Sequence, residues 1–488
     1  MQFNSYFFIM CFMPTVFVGY FLINKYDYGA GKIFLAIMSA VSYCYVVGID
    51  ATLLLTVSIF VNFFLGDYIV RLHAKARSKA SKWAVIAGVS FNVFLLIYFK
   101  YTNFLIDSYN QLAGTKIVPL ELFLPLGISF FTFQQIMYLA KVFDQDLQAL
   151  PFGDYLLYIL YFPKLLMGPI TEPELLVEQF ADKTKKSVDV ENVVRGLKIF
   201  SYGLAKKTVL ADTFALAVNW GFKNINEATS LDLMLVSIAY TFQIYFDFSG
   251  YCDMAVGASK MLNIELPMNF DSPYIATSIG EFWKRWHISL TKFLTHYVYV
   301  PLGGNRKGNL RTYVNMMIVF LISGLWHGAN WTFVLWGGIH GVFSVLDKII
   351  GESKCFAMKL GRGVMTFAIV NVLWLLFRCD SIKQWITMLG KIVSLDKLQV
   401  SAGLMNVFIV PEAIFVFNEL HLYKFVTTFK VIFLVLFFVV AFVVCLWPGN
   451  NYRSKDVVHS YEVLTAALLF VWGFICLSSE SVFVYFGF

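Results

Sequence analysis

Long, uninterrupted apolar runs constrain the fold of this sequence more than any other feature. A helix that crosses a bilayer needs about 20 predominantly apolar residues, and the chain offers such runs along most of its length. Only 14% of its 488 residues are charged, whereas soluble domains carry about 25%. Because the runs are continuous rather than alternating, a membrane β-barrel is disfavoured. The candidate spans are residues 6–23, 32–48, 51–69, 83–99, 119–140, 155–170, 193–220, 231–262, 316–346, 363–377, 407–417, 431–447 and 463–477.

These runs predict an all-α polytopic membrane protein with about 11 to 13 transmembrane and re-entrant helices. No Pro/Gly/Ser-rich linker separates a soluble domain, so we expect a single integral-membrane domain over residues 1–488. The first run has no basic flank before it and no small-residue cleavage site after it, which predicts a retained helix rather than a signal peptide. Residues 71–82 hold five Lys/Arg and no acid, which places this loop in the cytoplasm and the N-terminus outside.

Charge and cysteine usage argue against several kinds of partner. Cytoplasmic loop lysines and arginines account for the net charge of +7, so the charge indicates no nucleic-acid partner. The seven cysteines are dispersed and form no C-x-x-C pair, which argues against a disulfide framework and against a metal site. We therefore expect no metal and no bound cofactor.

His327 lies in the apolar stretch 316–346, where ionisable side chains are costly and usually mark a reaction or transport pathway. As one helix, that stretch would be about 46 Å long, whereas the hydrocarbon core is about 30 Å thick. It must therefore tilt strongly, or break near Gly324, Gly328 or residues 337–338. Broken backbone at membrane depth is tolerated only where it lines a cavity or is buried in protein. A histidine beside such a break is placed for chemistry.

The residues around His327 suggest a general base. If the helix continues from Ser323 to Asn330, both residues share a face with His327, and Asn330 could fix the tautomer of the imidazole. A buried imidazole is neutral near pH 7 and can accept a proton from a hydroxyl nucleophile. Such catalysis is typically worth about 10²–10⁴-fold. The alternative is a structural histidine that only hydrogen bonds to a neighbouring helix.

Residues 267–308 are too charged to span a membrane and too aromatic to form a free loop. They predict interfacial or re-entrant helices packed on the bundle, and the i,i+4 spacing of Glu281 and Arg285 supports a helix there. His287 follows in this segment, where a structural and a functional role are both open. His340 would lie about 220° from His327 on one ideal helix, so we expect it to be structural.

A glycine-rich basic loop at residues 301–308 could cradle a phosphate through its backbone N–H groups. It lacks the Walker spacing, so nucleotide hydrolysis is unsupported, and a turn with cytoplasmic positive charge is the alternative. From the residues alone, two classes of protein remain open. One is a membrane acyl or group transferase with His327 as base, and the other is a transporter. Transporters usually show a repeated half, which this sequence does not, so the enzyme is favoured.

Several motifs go beyond these general patterns. They are YFDFSGYCDMAVG (245–257), LPMNFDSPY (266–274), EFWKRWHISLTKFL (281–294), YVPLGGNRKG (299–308) and SGLWHGANWTFVLWGGIHG (323–341), supported by LPLGISFFTFQ (124–134), YFPKLLMGPI (161–170), GLAKKTVLAD (203–212) and VYFGF (484–488). Through these motifs the chain closely resembles the membrane-bound O-acyltransferase family. Within the family it is most similar to the bacterial branch that includes alginate O-acetyltransferase.

The resemblance implies a multi-helix fold that encloses a tunnel, with its core motifs in residues 124–348 and C-terminal helices in residues 363–488. It places the family's near-invariant histidine at His327 and its second histidine at His287. It further implies that an acyl group from a cytoplasmic donor is delivered outside the bacterial inner (plasma) membrane. Delivery would be through an SGNH-type partner, or directly, onto the hydroxyl of a cell-wall or exported polysaccharide.

We expect acetyl-CoA as the donor co-substrate. The clustered positive charge beside the second histidine suits its phosphates. The residues expected to bind the donor or substrate are Lys284, Arg285, Trp286, Trp326, Asn330 and Ser323.

The chain departs from the family pattern at residues 295–297 (Thr-His-Tyr) and 140–144 (Ala-Lys-Val-Phe-Asp). Both changes alter loop charge, which bears on the docking partner rather than on the chemistry. A sibling branch transfers D-alanine to teichoic acids and is the enzymatic alternative. Residues 247–253 (DFSGYCD) and the long tail beyond Asp380 favour O-acetylation.

Overall fold

The computed structural model describes residues 2–351, 355–409, 414, 419, 425–447, 450–453 and 459–477. Over these ranges the chain is helical and contains no strand, so the all-α prediction is confirmed. Most of the predicted span at residues 407–417, and the motif at residues 484–488, lie outside the described residues.

The chain forms two compact units. The first comprises Met1–Tyr202, Tyr251–Met268 and Val458–Leu468, and the second comprises Gly203–Gly250, Asn269–Val457 and Leu469–Phe488. That residues 1–488 act as one membrane domain stays a prediction.

Twenty α-helices are numbered here in chain order over the described residues. The first ten are α1 (Met13–Asn24), α2 (Tyr28–Ala74), α3 (Ser78–Leu96), α4 (Thr102–Ala113), α5 (Ile128–Phe143), α6 (Phe152–Leu160), α7 (Phe162–Leu165), α8 (Pro173–Ala181), α9 (Val190–Ala205) and α10 (Asp212–Lys223). The others are α11 (Ser230–Met261), α12 (Ile279–Arg285), α13 (Ile288–Leu294), α14 (Asn309–His327), α15 (Trp331–Ile350), α16 (Phe356–Arg378), α17 (Ile382–Ser394), α18 (Ala402–Val407), α19 (Val426–Leu446) and α20 (Ser460–Ile475). Short π-helical turns lie at Phe8–Phe12, Ile97–Tyr101, Lys206–Ala211 and Thr295–Tyr299, and 3₁₀ turns at Lys183–Lys186 and Pro273–Ile275.

Several helices are long and apolar enough to cross a bilayer, which makes this a multi-pass membrane protein. Within the described ranges, six meet both criteria, namely Tyr28–Ala74, Ser78–Ala113, Ser230–Met261, Trp331–Ile350, Ala357–Arg378 and Val426–Leu446. Phe8–Asn24 and Ser460–Ile475 are shorter apolar helices. The total of about 11 to 13 transmembrane and re-entrant helices, and the tunnel, stay predictions.

The first long helix, α2, bends where the sequence predicted a turn between two spans. Gly48 adopts φ 83° and ψ 177° inside it. Because a side chain is strained at such a positive φ, glycine suits this kink.

The stretch 316–346 breaks into two helices. Helix α14 ends at His327, Gly328 is extended, and α15 begins at Trp331. A Cβ atom on Gly324 would collide with the carbonyl oxygen of Phe333, so the glycine allows the two helices to approach closely. The predicted break near Gly328 is therefore confirmed.

The segment around the second histidine forms two short helices, α12 and α13. The Ser278 side chain caps α12 by accepting a hydrogen bond from the Glu281 N–H. One turn later, Glu281 and Arg285 form an ion pair of 2.9 Å. The helix predicted from their spacing is therefore present.

Candidate active site

His327 occupies the last position of α14 and is 3% exposed. Its ring lies among three other aromatic rings. The centroid distances are 4.9 Å to Trp326, 5.3 Å to Trp336 and 5.4 Å to Phe377, all edge to face. Because the helix ends here, the imidazole lies beside a backbone break, as the sequence predicted.

His287 is fully buried in the tight connection between α12 and α13. Its backbone is left-handed, with φ 46° and ψ 53°. This conformation is uncommon outside glycine and is typical of functional sites. Asn269 holds the turn, because its carbonyl accepts from Ile288 N–H at 3.1 Å and its side-chain oxygen accepts from Ser289 N–H at 3.0 Å. Burial lowers the pKa of His287 to about 3, so the imidazole is neutral at physiological pH.

Trp326 brings the two histidines into one cluster. Its ring centroid lies 5.8 Å from that of His287 and 4.9 Å from that of His327. On its other side, the His287 ring packs edge to face against Phe248 at 4.8 Å. Two imidazoles that sequence reasoning singled out separately therefore share one buried aromatic environment.

Phe248 is anchored by a buried ion pair next to it in the chain. Lys207 Nζ lies 2.7 Å from an oxygen of Asp247, and both side chains are 2% exposed. Asp212 also contacts Lys207 Nζ, at 2.9 Å. The motifs at residues 203–212 and 245–257 thus meet directly, one residue before the ring that packs against His287.

A cavity of about 930 Å³ adjoins α12, α14 and α15. One part of its wall is apolar and includes Trp283, Leu290 and Phe320. Several hydroxyl-bearing residues also line it, among them Ser323 on α14 and Ser344 on α15. Ser323 lies one helical turn before His327, which links the cavity wall to the histidine cluster.

Four basic residues give the cavity its charge. They are Lys284, Lys348, Lys359 and Arg362. Two acids also contribute to the wall, but both are engaged. Glu281 pairs with Arg285, and Asp347 accepts a hydrogen bond of 2.5 Å from Ile279 N–H. The cavity therefore offers positive charge to an anionic ligand.

The structure separates the residues that the sequence grouped as donor-binding. Lys284 lines the cavity, whereas Arg285 contributes to an ion-pair cluster with Asp271 (3.1 Å) and Glu281 (2.9 Å). Trp286 is fully buried, and its ring packs against others, including Trp374 at 4.8 Å. The neighbours of Lys284 in the sequence therefore hold the structure around the cavity.

Asn330 does not share a helical face with His327, so that prediction is wrong. The chain leaves the helix after His327, and Asn330 is extended, with φ −150° and ψ 151°. Its side chain accepts from Thr332 N–H at 3.0 Å and donates to the Asp380 carbonyl at 3.2 Å. Asn330 thus caps the next helix and does not orient the imidazole of His327 through a shared helical face.

The glycine-rich loop is arranged as a turn. Asn315 donates a hydrogen bond of 2.9 Å to the Gly304 carbonyl. Gly303, Gly304 and Gly308 all have positive φ. The residues lining the cavity include Tyr299, just before the loop, but none of residues 301–308.

His340 was expected to face away from His327 on a single helix, and that geometry is wrong. The two residues lie on different helices, and Trp336 contacts both rings, at 5.3 Å from His327 and 4.7 Å from His340.

Sequence reasoning also missed the basic residues Lys348, Lys359 and Arg362 as part of the cavity. For Lys348 a sequence signal existed, because Trp336, His340, Ser344 and Lys348 follow one another at intervals of four residues.

The described residues include no group of three His, Cys, Asp or Glu side chains that could hold a metal ion. The site is built instead from buried imidazoles, aromatic rings, hydroxyl groups and a basic cavity. These are groups suited to proton transfer and to binding an anionic, partly apolar ligand.

Two buried histidines that pack against one tryptophan, beside a basic cavity in a multi-pass helical protein, are groups suited to acyl transfer in a membrane. The sequence model of the membrane-bound O-acyltransferase family (MBOAT) matches residues 89–379. The chain belongs to this family and is an acyltransferase, as the motifs predicted.

Individual relatives sharpen this assignment. The chain is 35% identical to a peptidoglycan O-acetyltransferase from Helicobacter pylori, over 100% of this chain and 97% of that protein. It is 36% identical to a probable alginate O-acetylase, AlgI, from Pseudomonas aeruginosa, over 78% of this chain and 73% of that protein. It is 29% identical to a teichoic acid D-alanyltransferase from Streptococcus thermophilus, over 46% of this chain and 56% of that protein.

Proposed function

We propose that this protein is an O-acetyltransferase of the bacterial cell membrane that passes acetyl groups to an exported or cell-wall polysaccharide. The observation that carries the proposal is the pair of buried histidines on Trp326, in a chain similar over its whole length to a peptidoglycan O-acetyltransferase. Peptidoglycan is therefore the first acceptor to test, with alginate-like polysaccharides second. D-alanyl transfer has weaker support, since that similarity covers 46% of the chain.

His327 acts as the general base in this proposal. Its imidazole accepts the proton of an acceptor hydroxyl as the oxygen attacks the acetyl carbonyl of a thioester. A C–O bond forms, the C–S bond breaks, and the proton returns from the imidazole to the leaving thiolate. The buried, aromatic surroundings of the ring exclude water, which would otherwise compete as acceptor.

His287 has a supporting part in this reaction. Its neutral imidazole carries one N–H group, which can donate a hydrogen bond to the carbonyl oxygen as negative charge develops there. The left-handed turn and the packing of Phe248 and Trp326 hold the ring in place. We expect its loss to reduce activity less completely than the loss of His327.

Acetyl-CoA from the cytoplasm is the proposed donor, and the 930 Å³ cavity is its proposed binding site. Lys284, Lys348 and Lys359 provide charge for the phosphates, and the apolar wall suits the tether. Ser323 marks the side of the cavity that leads along α14 to His327. In this proposal Lys284 retains the donor-binding role predicted from the sequence, whereas Arg285 belongs to the supporting ion pairs.

In the last part of the proposal, the acetyl group is accepted outside the membrane. The acceptor is the polysaccharide itself or an SGNH-type partner that passes the group on. The acetyl group alone crosses, so no alternating-access motion is needed. A transporter would instead release free acetate or acetyl-CoA on the far side. The two mechanisms thus predict different products in a sealed system.

The test uses inverted vesicles that contain the full-length protein, radiolabelled acetyl-CoA outside, and peptidoglycan fragments with or without an SGNH-type protein inside. We expect label on the acceptor with wild-type protein. Activity should be strongly reduced in His287→Ala and lowest in His327→Ala. His296→Ala is the matched control, because that histidine is exposed and lies outside the cluster.

Two results would contradict the proposal. Transfer of D-alanine but not acetyl from its activated donor would point to the sibling chemistry. Release of labelled acetate or acetyl-CoA inside vesicles without acceptor, at the rate of transfer, would point to a transporter.

A further inference from the structure

One face of α15 carries four functional side chains at consecutive i+4 positions. They are Trp336, His340, Ser344 and Lys348. Residues four apart are neighbours on a helix surface, so the row follows α15 as a gently turning stripe, by about 40° per step, and spans about 18 Å at about 1.5 Å per residue. At one end Trp336 contacts the His327 ring, and at the other Lys348 lines the basic cavity.

His340, in the middle of this row, is fully buried, and the structure fixes its tautomer. The indole Nε1–H of Trp283 lies 3.2 Å from His340 Nδ1. An indole N–H can only donate, so Nδ1 must be the acceptor. The proton of the neutral ring is then on Nε2, which is buried and has no hydrogen-bond partner among the described residues.

Ser344 repeats the pattern one turn further on. It lines the cavity and is 3% exposed, and its Oγ is also buried without a hydrogen-bond partner among the described residues. Trp283 and Phe320, whose rings contact that of His340, line the same cavity. Buried donors are rarely left unsatisfied in folded proteins, because each costs free energy. Ser344 lines the cavity itself, and His340 packs against two residues of its wall, so both unsatisfied donors are near the space that a hydrogen-bond-accepting ligand would fill.

We propose that His340 and Ser344 bind an amide group in the tether of the thioester donor, between its phosphates at Lys348 and its acetyl group near His327. This inference rests on the proposed function and deepens it. A pantetheine tether has the required chemistry, because its amide carbonyls accept hydrogen bonds. A purely aliphatic tether would leave both donors unsatisfied, which is unfavourable in a buried site.

In this proposal different residues of α15 bind different parts of the donor, so each part can be tested with its own probe. CoA contains both the tether and the phosphates, pantetheine contains only the tether, and adenosine 3′,5′-bisphosphate contains only phosphate groups. Binding of each probe to the full-length protein in nanodiscs reports on a different part of the row.

The first variant, His340→Phe, keeps an aromatic ring in the packed cluster and removes the N–H. We expect about tenfold weaker binding of CoA and of pantetheine, as for the loss of one buried hydrogen bond, and unchanged binding of the bisphosphate. Ser344→Ala should weaken the same two probes by about threefold to tenfold. In acetyl transfer, both variants should raise KM for acetyl-CoA more than they lower kcat.

A further variant, Lys348→Gln, should affect the other half of the donor. It should weaken binding of CoA and of the bisphosphate and leave binding of pantetheine unchanged. Val342→Ala, at an exposed position of the same helix, is the matched control and should change none of the three. Trp283→Phe removes the hydrogen bond that fixes the tautomer. It should weaken pantetheine binding less than His340→Phe does.

Three outcomes would overturn this inference. The first is wild-type protein that does not bind pantetheine, and the second is a His340→Phe protein with wild-type melting temperature and unchanged pantetheine binding. The third is equal weakening of all three probes, since that pattern indicates a structural role. If pantetheine binds in a His340-dependent way but acetyl-CoA supports no transfer, the tether site stands and the proposed function is wrong.

Discussion

Buried polar side chains behave differently in two regions of this protein. In the first unit, Asn62, Asn92 and Gln135 hydrogen bond to one another, with Asn92 donating to Asn62 at 2.6 Å and Asn62 donating to Gln135 at 2.5 Å. In the second unit, His340 and Ser344 are equally buried but leave donor groups without a partner among the described residues. The amides of the first arrangement hydrogen bond to one another and stabilise the helix packing, although Gln135 Nε2 is also buried without a partner among the described residues. In our proposal a ligand completes the hydrogen bonding of His340 and Ser344, which lie at or next to a cavity, whereas the amides of the first region are completed mainly by one another.

The largest expected effect concerns the proposed catalytic base. His327→Ala should lower acetyl transfer by about 10³-fold or more, because the variant loses the general base and leaves a void in the aromatic cluster. Insertion into the membrane should be normal, since the change replaces an ionisable side chain at the end of α14 by a small apolar one. Transfer is measured with equal amounts of purified protein. Activity near the wild-type value would show that His327 is structural and would place it with Asn62 in the comparison.

The buried ion pair should matter for stability. Lys207→Met leaves Asp247 buried without its cation and should destabilise the folded protein by about 3–5 kcal/mol. Lys260→Met is the matched control, because Lys260 pairs with Glu265, whose side chain is 61% exposed. That change should cost about 0–1 kcal/mol. Melting in detergent measures both, and equal melting temperatures for the two variants would contradict the expectation.

The amide network offers the opposite test to that of His340. Asn62→Leu removes hydrogen bonds to Asn92 and Gln135 and should cost about 1–3 kcal/mol of stability. Binding of CoA by the folded fraction should not change, whereas His340→Phe should weaken binding and barely change melting. A variant of Asn62 that melts normally but loses CoA binding would break the distinction between the two regions.

The smallest expected effect is the pH dependence of stability that His287 contributes. Its folded pKa is lowered to about 3 by burial, whereas the unfolded value is 6.5. Below pH 6.5 the unfolded chain binds a proton that the folded protein does not bind. Stability should therefore fall by about 1.4 kcal/mol per pH unit as the pH drops below that value. His287→Gln should melt with a shallower pH dependence between pH 7 and 5, and identical slopes for both proteins would contradict this.

The main features of the fold could be predicted from local sequence. Continuous apolar runs predicted a helical membrane protein, the kink at Gly48 coincides with the gap between the predicted spans 32–48 and 51–69, and Gly328 marked a break that the structure contains. The motifs around His287 and His327 predicted the family correctly. Each of these features depends on residues close together in the chain, whose periodicity and length are readable directly.

The predictions failed where they assumed a continuous helix. Asn330 and His340 were both placed relative to His327 on one helix, and the break after His327 invalidated that geometry. Lys284 and Arg285 were grouped as donor-binding residues, a role that stays a prediction, and the structure gives them different surroundings. Adjacent residues on a short helix point in different directions, so one lines the cavity and the other pairs with Asp271.

Hydropathy and local motifs were enough to predict the class of protein, the positions of many of its apolar helices and the two histidines of interest. Tertiary structure decided that Trp326 joins those histidines, that Lys359 and Arg362 share a cavity with Lys284, and that Trp283 fixes the proton of His340. Hydropathy and helical periodicity specify which face of a helix is apolar or polar. They do not specify which distant side chain meets that face, because that depends on how the helices pack once the chain has folded.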